Sequence, residues 1–217
     1  MLKCVLWDND GTLIDTASLF QNANKEALLS ENIIMDEALF AKISQKQGKS
    51  ILEYYAAKNR LSSEKLKELY AIRQEKYTKM LQNKAIYNFD ALELIKHLKQ
   101  KGIKNFMVTG SNKSELQLEY FRRPELLDLF DGIVTADDYA NPKPQPDCFL
   151  CVLNKWHLFG DDCVAVDDLP RGIIAAHRAG LRAIRYNPFT PKSKYRNFEI
   201  FLHSLRDFID EQKIFAE

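Results

Sequence analysis

The sequence predicts an α/β fold: a doubly wound parallel sheet with an all-helical domain inserted after its first strand. Three observations predict it. Short apolar runs recur along the chain, helical segments with legible ends separate most of them, and the stretch from 16 to 81 shows helical spacing without a strand. Continuous rather than alternating apolarity is what a strand needs when helices cover both faces of its sheet. Alternation of such strands with helices points to parallel crossovers.

The apolar runs are Lys3–Trp7, Asn105–Val108, Gly132–Thr135, Cys163–Val166 and Arg182–Tyr186. After the first, Leu19, Phe20, Ala23, Ala27 and Leu28 fall at helical spacing, followed by Leu39, Phe40 and Ile43, then Leu66, Leu69, Tyr70, Tyr77 and Met80. Residues 16–81 are therefore expected to form a helical cap, and residues 1–15 and 82–217 a Rossmann-like core. Ligands bind beyond the carboxyl ends of the strands in open α/β sheets, so the cap is expected to stand over that edge. Asp90-Ala91-Leu92-Glu93 reads as the start of the next helix, with Leu92, Ile95 and Leu98 on one face and Gly102 as its stop. Asn112-Lys113-Ser114-Glu115 is a second start signal. Pro146 and Pro170 suit first-turn positions of two later helices, and Gly180 ends the last.

The 217 residues suffice for one domain and a small insert. A formal net charge of +1 gives no argument for nucleic acid or an anionic membrane. No apolar run approaches the roughly 18 residues of a membrane helix, and the apolar start stops at Asp8, too short for a signal peptide. A soluble, cytoplasmic protein is expected, as a monomer or weak homodimer. The cysteines agree: Cys4 and Cys163 read as core residues, and the lone Cys148-x-x-Cys151 lacks a second pair or a thioredoxin-like context. His97, His157, His177 and His203 are scattered without ligand spacing. The basic Lys192–Arg196 stretch reads as a solvated face, as do Lys76 and Lys79.

The chemistry gathers at strand ends. Asp8 ends the first strand, Asp10 follows two residues later on the same side, and Gly11 permits a sharp turn. Two carboxylates held together can divide labour, one ionised and one protonated, and both offer hard oxygen ligands to magnesium. Val108-Thr109-Gly110 ends the second strand. Lys143 lies in Lys143-Pro144-Gln145-Pro146-Asp147-Cys148-Phe149, and Asp167-Asp168 end the fourth strand in Val166-Asp167-Asp168-Leu169-Pro170-Arg171-Gly172-Ile173. Two adjacent acids ending a buried strand favour a metal role over mere capping of the helix at Pro170.

Asp8-Asn9-Asp10-Gly11-Thr12-Leu13 resembles the first motif of the haloacid-dehalogenase-like hydrolase superfamily. The Thr109, Lys143 and Asp167-Asp168 segments are similar to the other three, in order, and Ala176-His177-Arg178-Ala179-Gly180-Leu181 also looks familial. The resemblance implies a magnesium-dependent phosphatase. Asp8 would form an aspartyl-phosphate, and Asp10 would protonate the leaving oxygen and then deprotonate water. Mg2+ would be held by Asp8, the Asp10 backbone carbonyl and Asp168, with Asp167 nearby. Thr109, with Gly11, Gly110 and the helix start near Asn112, would receive the phosphoryl group, and Lys143 would supply a fixed positive charge. Gly48-Lys49-Ser50 interrupts the cap helices, either as a plain helix–helix turn or, since it resembles the specificity loop of family caps, with Lys49 as a candidate substrate contact. One departure is Leu169, where the pattern often carries Ser or Thr.

The expected substrate is a small phosphorylated metabolite, in the manner of the phosphoglycolate-phosphatase-like branch. A β-phosphoglucomutase-like phosphomutase shares every core residue, but Phe20 stands where those relatives carry a histidine. Dehalogenases lack the second aspartate, so Asp10 argues against that chemistry. A non-catalytic phospholigand sensor should have lost a core residue, and here all are kept.

Overall fold

The computed structural model describes residues 2–46, 49–189 and 205. The chain separates into two compact units, Met1–Asp15 with Ile86–Glu217, and Thr16–Ala85.

The first unit is built on five parallel strands, β1 (Cys4–Trp7), β2 (Lys104–Val108), β3 (Gly132–Val134), β4 (Cys163–Asp167) and β5 (Arg182–Arg185), in the order β3-β2-β1-β4-β5. Each expected strand is present, with ends that differ by one residue. The order reverses at β1, which lies between β2 and β4. The register pairs Trp7 with Met107 on one side and Val166 on the other. The carboxyl ends of the three central strands are thereby level, and the residues that follow them converge.

All of β1 is buried, and its two faces feed two layers. Cys4 and Leu6 pack with Phe106, Val108 and Ala165 against Cys148, Phe149 and Val152 of α7 (Asp147–Lys155) and Ala175 and Ala176 of α8 (Pro170–Arg178). Trp7 is also fully buried, and its indole N–H donates to Asn105 Oδ1 at 3.0 Å, which satisfies a donor that would otherwise be costly to bury. The same register sets Cys4 opposite Cys163, with Cα atoms 4.9 Å apart, and the two form a disulfide. The expectation of two plain core residues is corrected here: they are core residues and also partners. Their separation of 159 residues hid the pairing until the strand order was known.

Two helix starts also differ from expectation. Helix α5 (Phe89–Gln100) is capped by Asn88, not Asp90. The Asn88 carbonyl oxygen accepts from Ala91 N, while its amide nitrogen donates to Thr12 O and Tyr186 Oη. A neutral amide can do both, whereas a carboxylate has no donor. Pro146 is the N-cap of α7 rather than a residue of its first turn. Pro170 does open α8, and Gly102 and Gly180 follow their helices at positive φ.

The second unit is helical: α1 (Thr16–Leu29), α2 (Glu37–Phe40) running into a π-helical turn (Ala41–Lys46), α3 (Ile51–Lys58) and α4 (Ser63–Lys84). Helix α4 continues to Lys84, three residues past the expected return at 81. Ala27, Leu28, Phe40, Ile51, Leu52, Tyr55 and Leu69 form its core. Asp36, Ser50 and Ser62 cap α2, α3 and α4 with side-chain oxygens. Phe20 meets the Tyr77 ring edge-on at 5.7 Å and carries the Arg73 guanidinium over its face. Among the described residues, no helix is long and apolar enough to cross a membrane.

Candidate active site

The site begins where β1 stops. Asp8 N still donates to Val166 O at 2.8 Å, so strand geometry carries the first aspartate one residue beyond the sheet. The chain then turns on one carbonyl: Asn9 O accepts from the amides of Thr12, Leu13 and Ile14. Gly11 has φ +83°, a region open to glycine at little cost, and a Cβ there would lie 2.4 Å from Asp168 Oδ2. Two demands therefore select glycine at 11, the turn and the close approach of an acid.

Lys143 ties three strand ends together. Its Nζ donates to Asp8 Oδ1 at 2.6 Å, Asp167 Oδ2 at 2.9 Å and Val108 O at 3.2 Å, with its side chain only 8 % exposed. The ammonium also sits over the Phe149 ring. Asp167 accepts a further bond from Leu169 N through Oδ1, so both its oxygens are engaged. Asp168 differs: its Oδ1 is buried with no hydrogen-bond partner among the described residues. The Asp168 backbone is fixed from β5, where Arg185 Nε donates to its carbonyl oxygen.

The electrostatics expose an imbalance. Burial alone would lower the Lys143 pKa, but Asp8 and Asp167 outweigh it and hold the lysine charged. Burial, with Asp167 next, pushes Asp8 well above the usual carboxylate range, against the pull of Lys143. Burial and Asp167 push Asp168 up to about 7. One ammonium does not compensate this many buried carboxylates. Ligand oxygens of Asp8, Asp167 and Asp168 lie within 4.8 Å of one another. A cluster of hard oxygens, an excess of negative charge and an orphaned buried oxygen on Asp168 together fit a divalent cation such as Mg2+. Asp168 has an unengaged oxygen to give it, while Asp8, bonded to Lys143 and Thr12, and Asp167, bonded to Lys143 and Leu169, each accept one hydrogen bond per oxygen and keep further lone pairs.

Asp10, half-buried, faces the end of β2. Its Oδ2 accepts from Thr109 Oγ1 at 3.0 Å and from Ser111 Oγ at 3.3 Å. Thr109 is fully buried, and its hydroxyl is directed at Asp10. Gly110 is exposed, and a Cβ there would meet no atom of the described residues within 4 Å, so no contact among them demands glycine. The helix start expected to face an anion, α6 (Lys113–Glu119), already has three backbone amides engaged. Asn112 N donates to Glu115, Glu115 N to Asn112, and Lys113 N to Asp137. A capping box thus takes amides that sequence reasoning offered to phosphate.

The structure accordingly brings together Asp8, Asp10, Gly11, Thr109, Lys143, Asp167 and Asp168. Lys49 belongs to the other unit, where its side chain is exposed and its backbone N donates to Ile43 O. Gly48, His203 and the Lys192–Arg196 stretch lie outside the described residues. Sequence reasoning missed Asn9, Ser111, Glu119 and Tyr120. Their signal was present but faint: Glu119 is an acid at the i+3 position from buried Leu116, on the face that also carries Tyr120.

Residues 5–186 match a family described as haloacid dehalogenase-like hydrolase. A phosphorylated carbohydrates phosphatase of Thermotoga maritima is 29% identical over 187 residues, covering 84% of each chain. Hexitol phosphatase A of Escherichia coli is 26% identical, with 94% of this chain and 91% of the relative covered. The crystal structure of CbbY from Rhodobacter sphaeroides in complex with phosphate superposes with a TM-score of 0.68 at 23% identity, covering 90% of this chain and 91% of that one.

Proposed function

We propose that this chain, which belongs to the haloacid dehalogenase-like hydrolases and is a phosphatase of that family, cleaves a small phosphorylated sugar or polyol through an aspartyl-phosphate on Asp8. The observation that carries the mechanism is the buried Lys143 bridging Asp8 and Asp167 beside an unpartnered Asp168 oxygen.

Asp8 attacks phosphorus as the carboxylate, the bond from phosphorus to the ester oxygen breaks, and Asp10 delivers a proton to that oxygen. The ionised Asp10 then takes a proton from water. The water oxygen attacks phosphorus, the bond to Asp8 breaks, and inorganic phosphate leaves. Lys143 aims Asp8 and favours its ionised form against the effect of burial, and it spreads positive charge over the developing negative oxygens. Asp167 holds Lys143 in place. Thr109 fixes the carboxyl of Asp10. Asp8, Asp168 and the Asp10 carbonyl would hold Mg2+, which when bound offsets repulsion between the carboxylate and the phosphate dianion. Relatives named for phosphorylated carbohydrates and hexitols support a sugar- or polyol-phosphate substrate class.

The test is phosphate release from a panel of sugar, polyol and glycolate phosphate esters, with and without magnesium. Magnesium-dependent release that vanishes in Asp8→Asn is expected. Full activity in Asp8→Asn, or turnover indifferent to magnesium, would overturn the mechanism. Isomerisation of a sugar phosphate outpacing phosphate release would replace hydrolysis by phosphoryl return.

A further inference from the structure

Behind Asp10 lies a buried polar cluster that the mechanism above does not use. Glu119, the last residue of α6, is 1 % exposed. Asn9, the residue between the two aspartates, donates from Nδ2 to Glu119 Oε2 at 2.7 Å. Ser111 Oγ lies 2.8 Å from Glu119 Oε1 and 3.3 Å from Asp10 Oδ2. Tyr120 Oη donates to Asn9 Oδ1 at 2.8 Å, and Tyr87 Oη to the Glu119 carbonyl at 2.8 Å. Glu119 thus reaches both loops that carry Asp10 and its partners, one through each oxygen.

We infer that Glu119 is a positioning residue, which through Asn9 and Ser111 holds the Asp10 carboxyl in the orientation that proton delivery to the leaving oxygen requires. This rests on the reading of Asp10 as the proton donor. The cost of the arrangement argues for a task. A buried carboxyl loses hydration that an apolar residue would not lose, and among the described residues neither Lys nor Arg pairs with it. Asn9 and Ser111 could be satisfied by a smaller amide or hydroxyl if support alone were needed.

The proton count gives the cluster a direction. Ser111 has one hydroxyl proton and two carboxyl neighbours. Burial, with Asp10 next, pushes Glu119 up to about 8, so at neutral pH it is largely protonated. The neutral carboxyl accepts from Asn9 through Oε2 and donates from Oε1 to Ser111 Oγ. The Ser111 proton is then directed to Asp10 Oδ2, beside the bond from Thr109. Glutamine reproduces this pattern, an acceptor toward Asn9 and a donor toward Ser111, whereas alanine reproduces neither half.

The readout follows from the leaving group. Phenolate leaves poorly without a proton, whereas 4-nitrophenolate needs little help. Values of kcat/KM cover only the steps through release of the alcohol. Glu119→Ala should lower kcat/KM for phenyl phosphate about 10- to 100-fold and for 4-nitrophenyl phosphate no more than about threefold, and Glu119→Gln should restore phenyl phosphate to within about threefold of wild type. Equal losses on the two esters, or no loss in Glu119→Ala, would overturn the proposal. Should Glu119→Ala fail to fold, Ser111→Ala severs the same link from a half-buried loop position. The same ester selectivity is expected of it, and unchanged activity on both esters would overturn the proposal. Asp10→Asn separates the two levels. Full phenyl phosphate turnover in Asp10→Asn would overturn the reading of Asp10 itself. Its loss beside a normal Glu119→Ala would overturn the role of Glu119 alone.

Discussion

Replacing Gly172 by alanine should destabilise the protein, against the usual direction of that change in a helix. Gly172 lies in the first turn of α8, and an ideal Cβ there would fall 1.8 Å from Asp167 Oδ2 and 1.9 Å from its Cγ. Alanine in a helix ordinarily gains up to about 1 kcal/mol over glycine. Here the methyl group and the carboxylate cannot share the space. Asp167 is 2 % exposed, and it is pinned by Lys143 at 2.9 Å and Leu169 N at 2.9 Å, so it has no solvent to swing into. Displacing it breaks a buried ion pair, for which the loss of one partner costs about 3–5 kcal/mol. Part of that returns through relaxation and helix propensity, which leaves a net loss of about 2–4 kcal/mol. Urea unfolding followed by circular dichroism measures it, with Gly110→Ala as the control, because a Cβ at 110 meets nothing. Gly172→Ala should also lower kcat, since Lys143 loses the acid that steadies it. Shortening the obstacle in Asp167→Ala should make Gly172→Ala nearly neutral, a coupling visible in the double-mutant cycle. A Gly172→Ala protein as stable as wild type would refute this account of why glycine stands beside the acids.

Lys143→Met leaves Asp8 and Asp167 buried without a counter-charge, and should cost about 3–5 kcal/mol in metal-free protein and at least about 100-fold in kcat, read by urea unfolding and phosphate release. Asp168, pushed up to about 7 by burial and Asp167, binds its proton more tightly folded than unfolded. Its contribution to stability is full below the ordinary 3.8 and is lost as pH rises through about 7. Magnesium favours the charged form, so it should raise the melting temperature more at pH 8 than at pH 5, and an equal rise at both would count against Asp168 as a ligand. Glu119 follows the same sign, from 4.5 to about 8, so Glu119→Gln should gain stability on wild type across that window by up to about 5 kcal/mol. Parallel stability profiles of the two proteins would contradict it. Gly11→Ala needs φ +83° and displaces Asp168, so it should cost at least about 1–2 kcal/mol and weaken the response to magnesium in the same melting assay.

What was legible in the sequence divides along a physical line. The strands were readable because a sheet covered on both faces demands unbroken apolar runs, and β1 and β4 are buried at every position. The acids were readable because the register levels β1, β2 and β4, so residues just past each run meet at one edge. Pairings across the sheet were not. Cys4 finds Cys163, and Lys143 finds Asp8, only once the order β3-β2-β1-β4-β5 is known. Asp90 looked like a cap because any short polar side chain can cap. The choice fell to Asn88 because that position also owes hydrogen bonds to Thr12 and Tyr186, which lie far away in sequence.

Glu119 was hardest to read, and the reason is general. Periodicity detects burial through apolar residues, so a buried acid at an apolar position looks like a small defect in the pattern. Its meaning lies in partners 110 residues upstream, at Asn9, and 8 upstream, at Ser111. Neither partner carries a chemical role in the motifs, but each adjoins a residue that does: Asn9 sits between the aspartates, and Ser111 follows Thr109-Gly110. Motif reading stops at the groups that meet the substrate. The residues that aim those groups answer to local geometry, and a buried carboxyl that touches both loops around Asp10 shows where that geometry is set.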